Sequence, residues 1–66
     1  MSLFTSKEKE VLSLISTGLT TKEIAAQLNI SHHTVETHRK NLLRKGEVKN
    51  SAQLVQMALS QQIIGA

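Results

Sequence analysis

The sequence predicts an all-α fold of four helices, and three observations point there. Proline is absent from the 66 residues. Apolar residues recur at spacings of three and four throughout. Four helix-start signals, Thr5/Glu8, Thr20/Glu23, Ser31 and Asn50/Gln53, divide the chain into segments of helical length.

Thr5 and Glu8 form a capping box that opens a first helix running to about Ser16, with Val11, Leu12, Leu14 and Ile15 as its buried stripe and Gly18 as its stop. Thr20 and Glu23 repeat the arrangement for a second helix through Leu28, which buries Ile24, Ala25 and Leu28. Asn29 follows where the chain must turn sharply, and asparagine tolerates the left-handed conformation that such a turn needs. Ile30 plugs the turn, and Ser31 caps a third helix running to about Lys45. Asn50 with Gln53 starts a fourth helix to about Gln61 that buries Leu54, Val55, Ala58 and Leu59. One domain over residues 4–61 is expected, with residues 1–3 and 62–66 as flexible ends.

Composition narrows the function. There is no cysteine, so a disulfide framework and a thiolate zinc site are excluded. No apolar run approaches membrane-spanning length, so a cytoplasmic location is expected, without membrane contact. Eight Lys or Arg stand against five acids, a net charge of +3, which suits a polyanionic partner. The placement is more telling, because residues 39–49 hold Arg39, Lys40, Arg44, Lys45 and Lys49 against the single acid Glu47. Phe4 is the only aromatic, so base stacking on single strands is disfavoured relative to duplex DNA.

The third helix carries the expected chemistry. At about 100° per residue, Val35, His38 and Leu42 share the side that faces the core, while His33, Glu36, Thr37, Lys40 and Arg44 lie within about 60° of the opposite side. An ordinary solvated face with a Glu36–Lys40 pair would show the same pattern. The context favours a recognition helix: three capped helices lie within about 40 residues, with small Ala25 at the crossing and a four-residue turn. Lys40 can donate to guanine O6 and N7, the Thr37 methyl can meet a thymine methyl, and Glu36 can accept from cytosine N4. The starts of the second and third helices offer free N–H groups and positive dipole ends for phosphates, surrounded by Thr20, Thr21, Lys22, His32, His33 and Thr34.

Other chemistries fit poorly. His32 and His33 are adjacent and diverge by about 100°, and His38 lies on the far side from His33, so no metal site is expected. His38 reads as a partly buried packing histidine. No glycine-rich phosphate loop or nucleophile–base pair is visible, and a chain this short has little room to enclose a substrate pocket of a few hundred Å3. Neither catalysis nor a cofactor is expected.

At these residues the chain resembles the LuxR/FixJ-type, or GerE-type, helix-turn-helix domain of bacterial transcription factors. The resemblance runs through Phe4-Thr5-Ser6-Lys7-Glu8-Lys9-Glu10-Val11-Leu12, Gly18-Leu19-Thr20-Thr21-Lys22-Glu23-Ile24-Ala25, Ile30-Ser31-His32-His33-Thr34-Val35-Glu36-Thr37-His38 and Val48-Lys49-Asn50-Ser51-Ala52-Gln53-Leu54-Val55. Each block is weak alone, and the four in this order and spacing are specific. The resemblance implies a homeodomain-like three-helix core without a wing plus a fourth helix, binding double-stranded promoter DNA with the third helix in the major groove. Carried over by position, base contact falls on Glu36, Thr37 and Lys40. Phosphate contact falls on Thr21, Lys22, the His33–Thr34 region and Lys45, and the reading of the helix starts and the outward face adds Thr20, His32 and Arg44 to that set. The resemblance implies a dimer contact on the fourth helix, where Gln53, Gln56, Met57 and Ser60 lie outside the buried arc: they form either a plain solvated face or the contact of a weak, DNA-assisted homodimer. RNA polymerase is a further expected partner, and an N-terminal receiver or ligand-binding domain is expected in the full-length regulator, most simply a two-component response regulator that is nucleoid-associated when bound to DNA.

Two positions depart from the family pattern. Family members often carry Lys where this chain has Glu36, so the preferred site need not be the commonest one. Lys45-Gly46-Glu47-Val48 stands where Lys-Leu-Gly-Val is usual, so an apolar contact is lost at 46. There either the third helix ends a residue sooner or Glu47 bears strain of about 1 kcal/mol. Two rival readings are a protein-interaction module with a basic face and a helix-turn-helix of another class, such as a sigma-factor domain, although the latter does not need the Asn50-to-Leu59 block.

Overall fold

The computed structural model describes residues 4–63, which form α1 (Ser6–Ser16), α2 (Thr21–Leu28), α3 (His32–Gly46) and α4 (Ser51–Ser60), with no strand among the described residues. Each helix starts where its side-chain cap dictates. Thr5 and Thr20 accept from the backbone N–H groups of Glu8 and Glu23, and each glutamate accepts from the N–H of its cap, so both capping boxes close. Ser31 Oγ accepts from Thr34 N–H at 3.0 Å, and Asn50 Oδ1 accepts from Gln53 N–H at 2.9 Å. Gln53 Oε1 reaches one residue further back than a capping box requires, to Lys49 N–H.

Three helices end in the same way, and none uses glycine. Asn29, Glu47 and Gln62 have φ of 56°, 54° and 57°. After each, the next N–H bonds back five residues: Ile30 to Ala25 O, Val48 to Leu43 O and Ile63 to Ala58 O. This is the Schellman arrangement, and in each case the residue after the turn is apolar and half-buried against the core. Asn29 makes the turn as its side-chain chemistry predicts. At the second of these ends, α3 runs through Gly46 and Glu47 takes the left-handed conformation, so strain at Glu47 is the outcome there. Gly46 has another use. A Cβ there would lie 2.8 Å from Met57 Cε and 3.5 Å from Leu54 Cδ1, so the absent side chain admits those of α4.

The core gathers Phe4, Val11, Leu12, Ile24, Ala25, Val35, Leu42, Leu54 and Ala58 around α3, which packs against all three other helices. Leu14, Ile15, Leu28 and Val55, expected to be buried, are half-buried at its edge. Leu59 is a clear correction, because it is 52% exposed. Leu54 and Ala58 sit one turn apart and take the whole inward arc of α4. Leu59 lies about 100° further round, where no other helix covers it. Gln62 and Ile63, expected in a flexible end, form the last Schellman turn. The expectation for residues 1–3 and 64–66 lies outside the described residues.

Candidate nucleic-acid interface

The turn at Asn29 joins the end of α2 to Ser31 and the first turn of α3, where Ser31, His32 and His33 are exposed. The first-turn N–H groups of both helices lack carbonyl partners within their own helix, apart from those the caps satisfy. Around them, Thr20, Lys22, His32 and His33 are exposed, and Thr21 and Thr34 are half-buried. The Thr34 hydroxyl lies 2.7 Å from Ser31 Oγ, so it is already engaged in the cap. Glu23 is fully exposed, and the Thr20 backbone and side chain hold its carboxyl below the usual range. That capping carboxylate is a negative group at the same helix start that could receive a phosphate.

Along the outward face of α3, Thr37, Lys40 and Arg44 are exposed and Glu36 is half-buried. The Thr37 hydroxyl donates to the His33 carbonyl at 3.1 Å, and Arg44 Nη2 donates to Asn41 Oδ1 at 3.3 Å. Glu36 and Lys40, one turn apart, form no ion pair with each other. Val35 and Leu42 are fully buried on the opposite side, and His38 is half-buried between them.

Two cations of α3 are committed elsewhere. Lys45, expected at a phosphate, places its ammonium 2.7 and 3.0 Å from the two carboxylate oxygens of Glu8 on α1. The Glu8 side chain is only 5% exposed, and one of its oxygens also accepts from Thr5 N–H at 2.9 Å. Burial alone would raise the Glu8 carboxyl, but the Lys45 and Thr5 bonds outweigh it and hold the group below its usual range. Glu8 was legible in the sequence only as a capping residue. A further signal was present, because it lies one turn before Val11 and Leu12 on the buried stripe, and a buried acid needs a cation. Arg39 is half-buried and donates from Nε to Ser51 Oγ at 2.9 Å, tying the middle of α3 to the start of α4.

Beside Arg39 lies an open cleft of about 370 Å3, lined by Ile15, Leu19, Ile24 and Val35. Its polar lining is Arg39 with the hydroxyls of Thr20, Thr21 and Ser51, without a carboxylate, imidazole or thiol to begin a reaction. On α4, Gln53, Gln56 and Ser60 are exposed, whereas Met57 turns inward toward Gly46 and is half-buried. Leu59 takes the outward place that sequence reasoning assigned to Met57.

Comparison with known proteins places this geometry. Residues 2–58 match the family described as bacterial regulatory proteins, luxR family. The response regulatory protein YgeK of Escherichia coli, itself uncharacterized, is 47% identical over 55 residues, covering 83% of this chain and 37% of YgeK. The transcriptional regulatory protein FixJ of Rhizobium meliloti is 42% identical over 60 residues, covering 91% of this chain and 29% of FixJ. The chain therefore spans about a third of the length of these curated relatives. Among solved structures, the transcription factor GerE superposes with a TM-score of 0.92 at 32% identity over 98% of this chain and 97% of GerE. The response regulator ChrA of a heme-sensing two-component system superposes at 0.90 and 33% identity, over 97% of this chain and 31% of ChrA. The chain belongs to the luxR family of bacterial regulatory proteins, and its four helices are a helix-turn-helix DNA-binding domain of that family.

Proposed function

We propose that this domain binds duplex promoter DNA sequence-specifically, with α3 in the major groove, as the C-terminal output domain of a two-component response regulator. The observation that carries this reading is the outward face of α3. Glu36, Thr37 and Lys40 stand there together, opposite a fully buried Val35 and Leu42, and His32 and His33 at the start of the same helix are exposed. Base contact falls on Glu36, Thr37 and Lys40, and phosphate contact on Thr20, Thr21, Lys22, His32, His33, Thr34 and Arg44. Lys45 leaves the phosphate set because its ammonium serves Glu8.

Homodimerisation goes through the outward face of α4, with Gln53, Gln56 and Ser60 around Leu59 and with Met57 at the edge. A patch this small supports a weak dimer that DNA helps assemble. The size of the relatives and their names as response regulators support a receiver or ligand-binding domain N-terminal to this one. RNA polymerase is the further partner. The domain works in the cytoplasm, on the nucleoid when bound, without catalysis or cofactor. No described helix is long and apolar enough to cross a membrane.

Fluorescence anisotropy against a selected site and random duplexes tests the reading. Lys40→Ala should weaken the selected site by about 1–3 kcal/mol and narrow its advantage over random DNA, whereas Lys22→Ala should weaken both alike. Equal losses on both DNAs for both variants would contradict the assigned roles.

A further inference from the structure

Histidines aside, five side chains of α3 are acidic or basic, and three of them have partners in the fold, two on other helices and Arg44 only along the exposed surface of α3. Lys45 pairs with Glu8, Arg39 donates to Ser51, and Arg44 donates to Asn41. Of these five, Glu36 and Lys40 are left without a side-chain hydrogen bond or ion pair to any described residue. They are so placed although their i, i+4 spacing puts each within reach of the other. The reading face is therefore not a general cationic surface. It presents one free acceptor-only group and one free donor-only group, one helical turn apart.

We infer that Glu36 and Lys40 together read a cytosine and a guanine: Lys40 donates to guanine N7 and O6, and Glu36 accepts from the N4 amino group of a cytosine within about two base pairs of it. This rests on the proposed entry of α3 into the major groove. The spacing follows from the helix: four residues rise about 6 Å, against about 3.4 Å per base step. The base identity follows from the groove edges. Guanine shows a carboxylate two acceptors, thymine shows one acceptor and a methyl, and adenine shows a donor beside an acceptor. Cytosine alone offers a donor without an acceptor next to it. A carboxylate brought among phosphates without a donor loses its water and gains nothing, so Glu36 also penalises DNA that lacks the cytosine. The Thr37 hydroxyl, with its hydrogen given to the His33 carbonyl, does not compete for the acceptor edges.

Selection of bound sequences from a random duplex pool tests this, run in parallel on the domain and its Glu36→Lys and Glu36→Gln variants, each checked for folding by circular dichroism. The unmodified domain should fix a cytosine within about two base pairs of a fixed guanine. Glu36→Lys should replace that cytosine by guanine and Glu36→Gln by adenine, with the other positions unchanged. Swapping the cytosine for guanine in the selected site should weaken the unmodified domain roughly 5- to 150-fold and strengthen Glu36→Lys. The inference is overturned if the domain and both folded variants select the same bases, or if the domain fixes guanine or thymine at that position, and the DNA-reading function then still stands. If the unmodified domain enriches no sequence at all, that function falls and the inference falls with it. If Glu36→Lys alone does not fold, the shift to adenine in Glu36→Gln decides.

Discussion

The inner and outer sides of α3 treat the same residue types in opposite ways. On the inner side, Lys45 and Arg39 have become structural: one neutralises a buried acid from α1, and the other ties α3 to α4. On the outer side, Glu36 and Lys40 are of the same residue types but have no side-chain partner among the described residues, and remain available for an external one. Charge counting along the sequence therefore overstates the cation supply for DNA. Of the basic residues between 39 and 49, the fold withdraws two, and the surface that remains is nearly balanced in sign. Such a surface is better suited to discriminating among sequences than to binding any duplex strongly.

The sharpest break of this contrast is at Glu8. Glu8→Ala removes the anion beneath Lys45 and opens the α1 capping box, and should cost about 3 kcal/mol in urea unfolding. Removal of an outer charge by Lys40→Ala should leave stability within about 0.5 kcal/mol and act on DNA alone. Comparable stability losses in the two variants would erase the distinction between the two sides. Glu8 also sets an acid limit. Its folded carboxyl titrates below its ordinary value of 4.5, so its stabilisation is complete above that pH and is lost as pH falls through the depressed folded value. Thermal melts between pH 7 and 3 should show this acid loss, and Glu8→Gln should flatten it. Smaller again is Glu47→Gly, which relieves the left-handed strain and should stabilise by about 1 kcal/mol. The smallest effect belongs to Lys7, whose 3.0 Å pair with Glu10 is half-exposed on both sides. Lys7→Ala should stay within about 0.5 kcal/mol, against the much larger loss for the enclosed Glu8–Lys45 pair.

What the sequence made legible was local. Caps are contacts across three residues, so Thr5/Glu8, Thr20/Glu23, Ser31 and Asn50 could be read directly, as could the left-handed Asn29. The outward face of α3 was also legible, because a helical period decides which residues share a side. The sequence could not show which neighbour meets a side. Lys45 finds Glu8 at a separation of 37 residues and Arg39 finds Ser51 at 12, and although the period marks Glu8 as a buried acid, nothing in it says which cation meets Glu8 or which hydroxyl meets Arg39. The same limit explains α4. Its apolar positions Leu54, Val55, Ala58 and Leu59 span more arc than the rest of the domain covers, so Leu59 is left in solvent while Met57 turns inward to the space above Gly46.

The division of α3 into an inner and an outer side is tested most directly by the salt dependence of duplex DNA binding, because the slope of log Kobs against log salt counts the phosphates a protein neutralises. Slopes would be compared for the unmodified domain, Lys22→Ala, Arg39→Ala and Lys45→Ala, at a temperature where all four are folded. The expected result is a slope shallower by about 0.9 for Lys22→Ala and unchanged for Arg39→Ala and Lys45→Ala. A loss of that size in either of the last two would put an inner cation on the DNA and contradict the division.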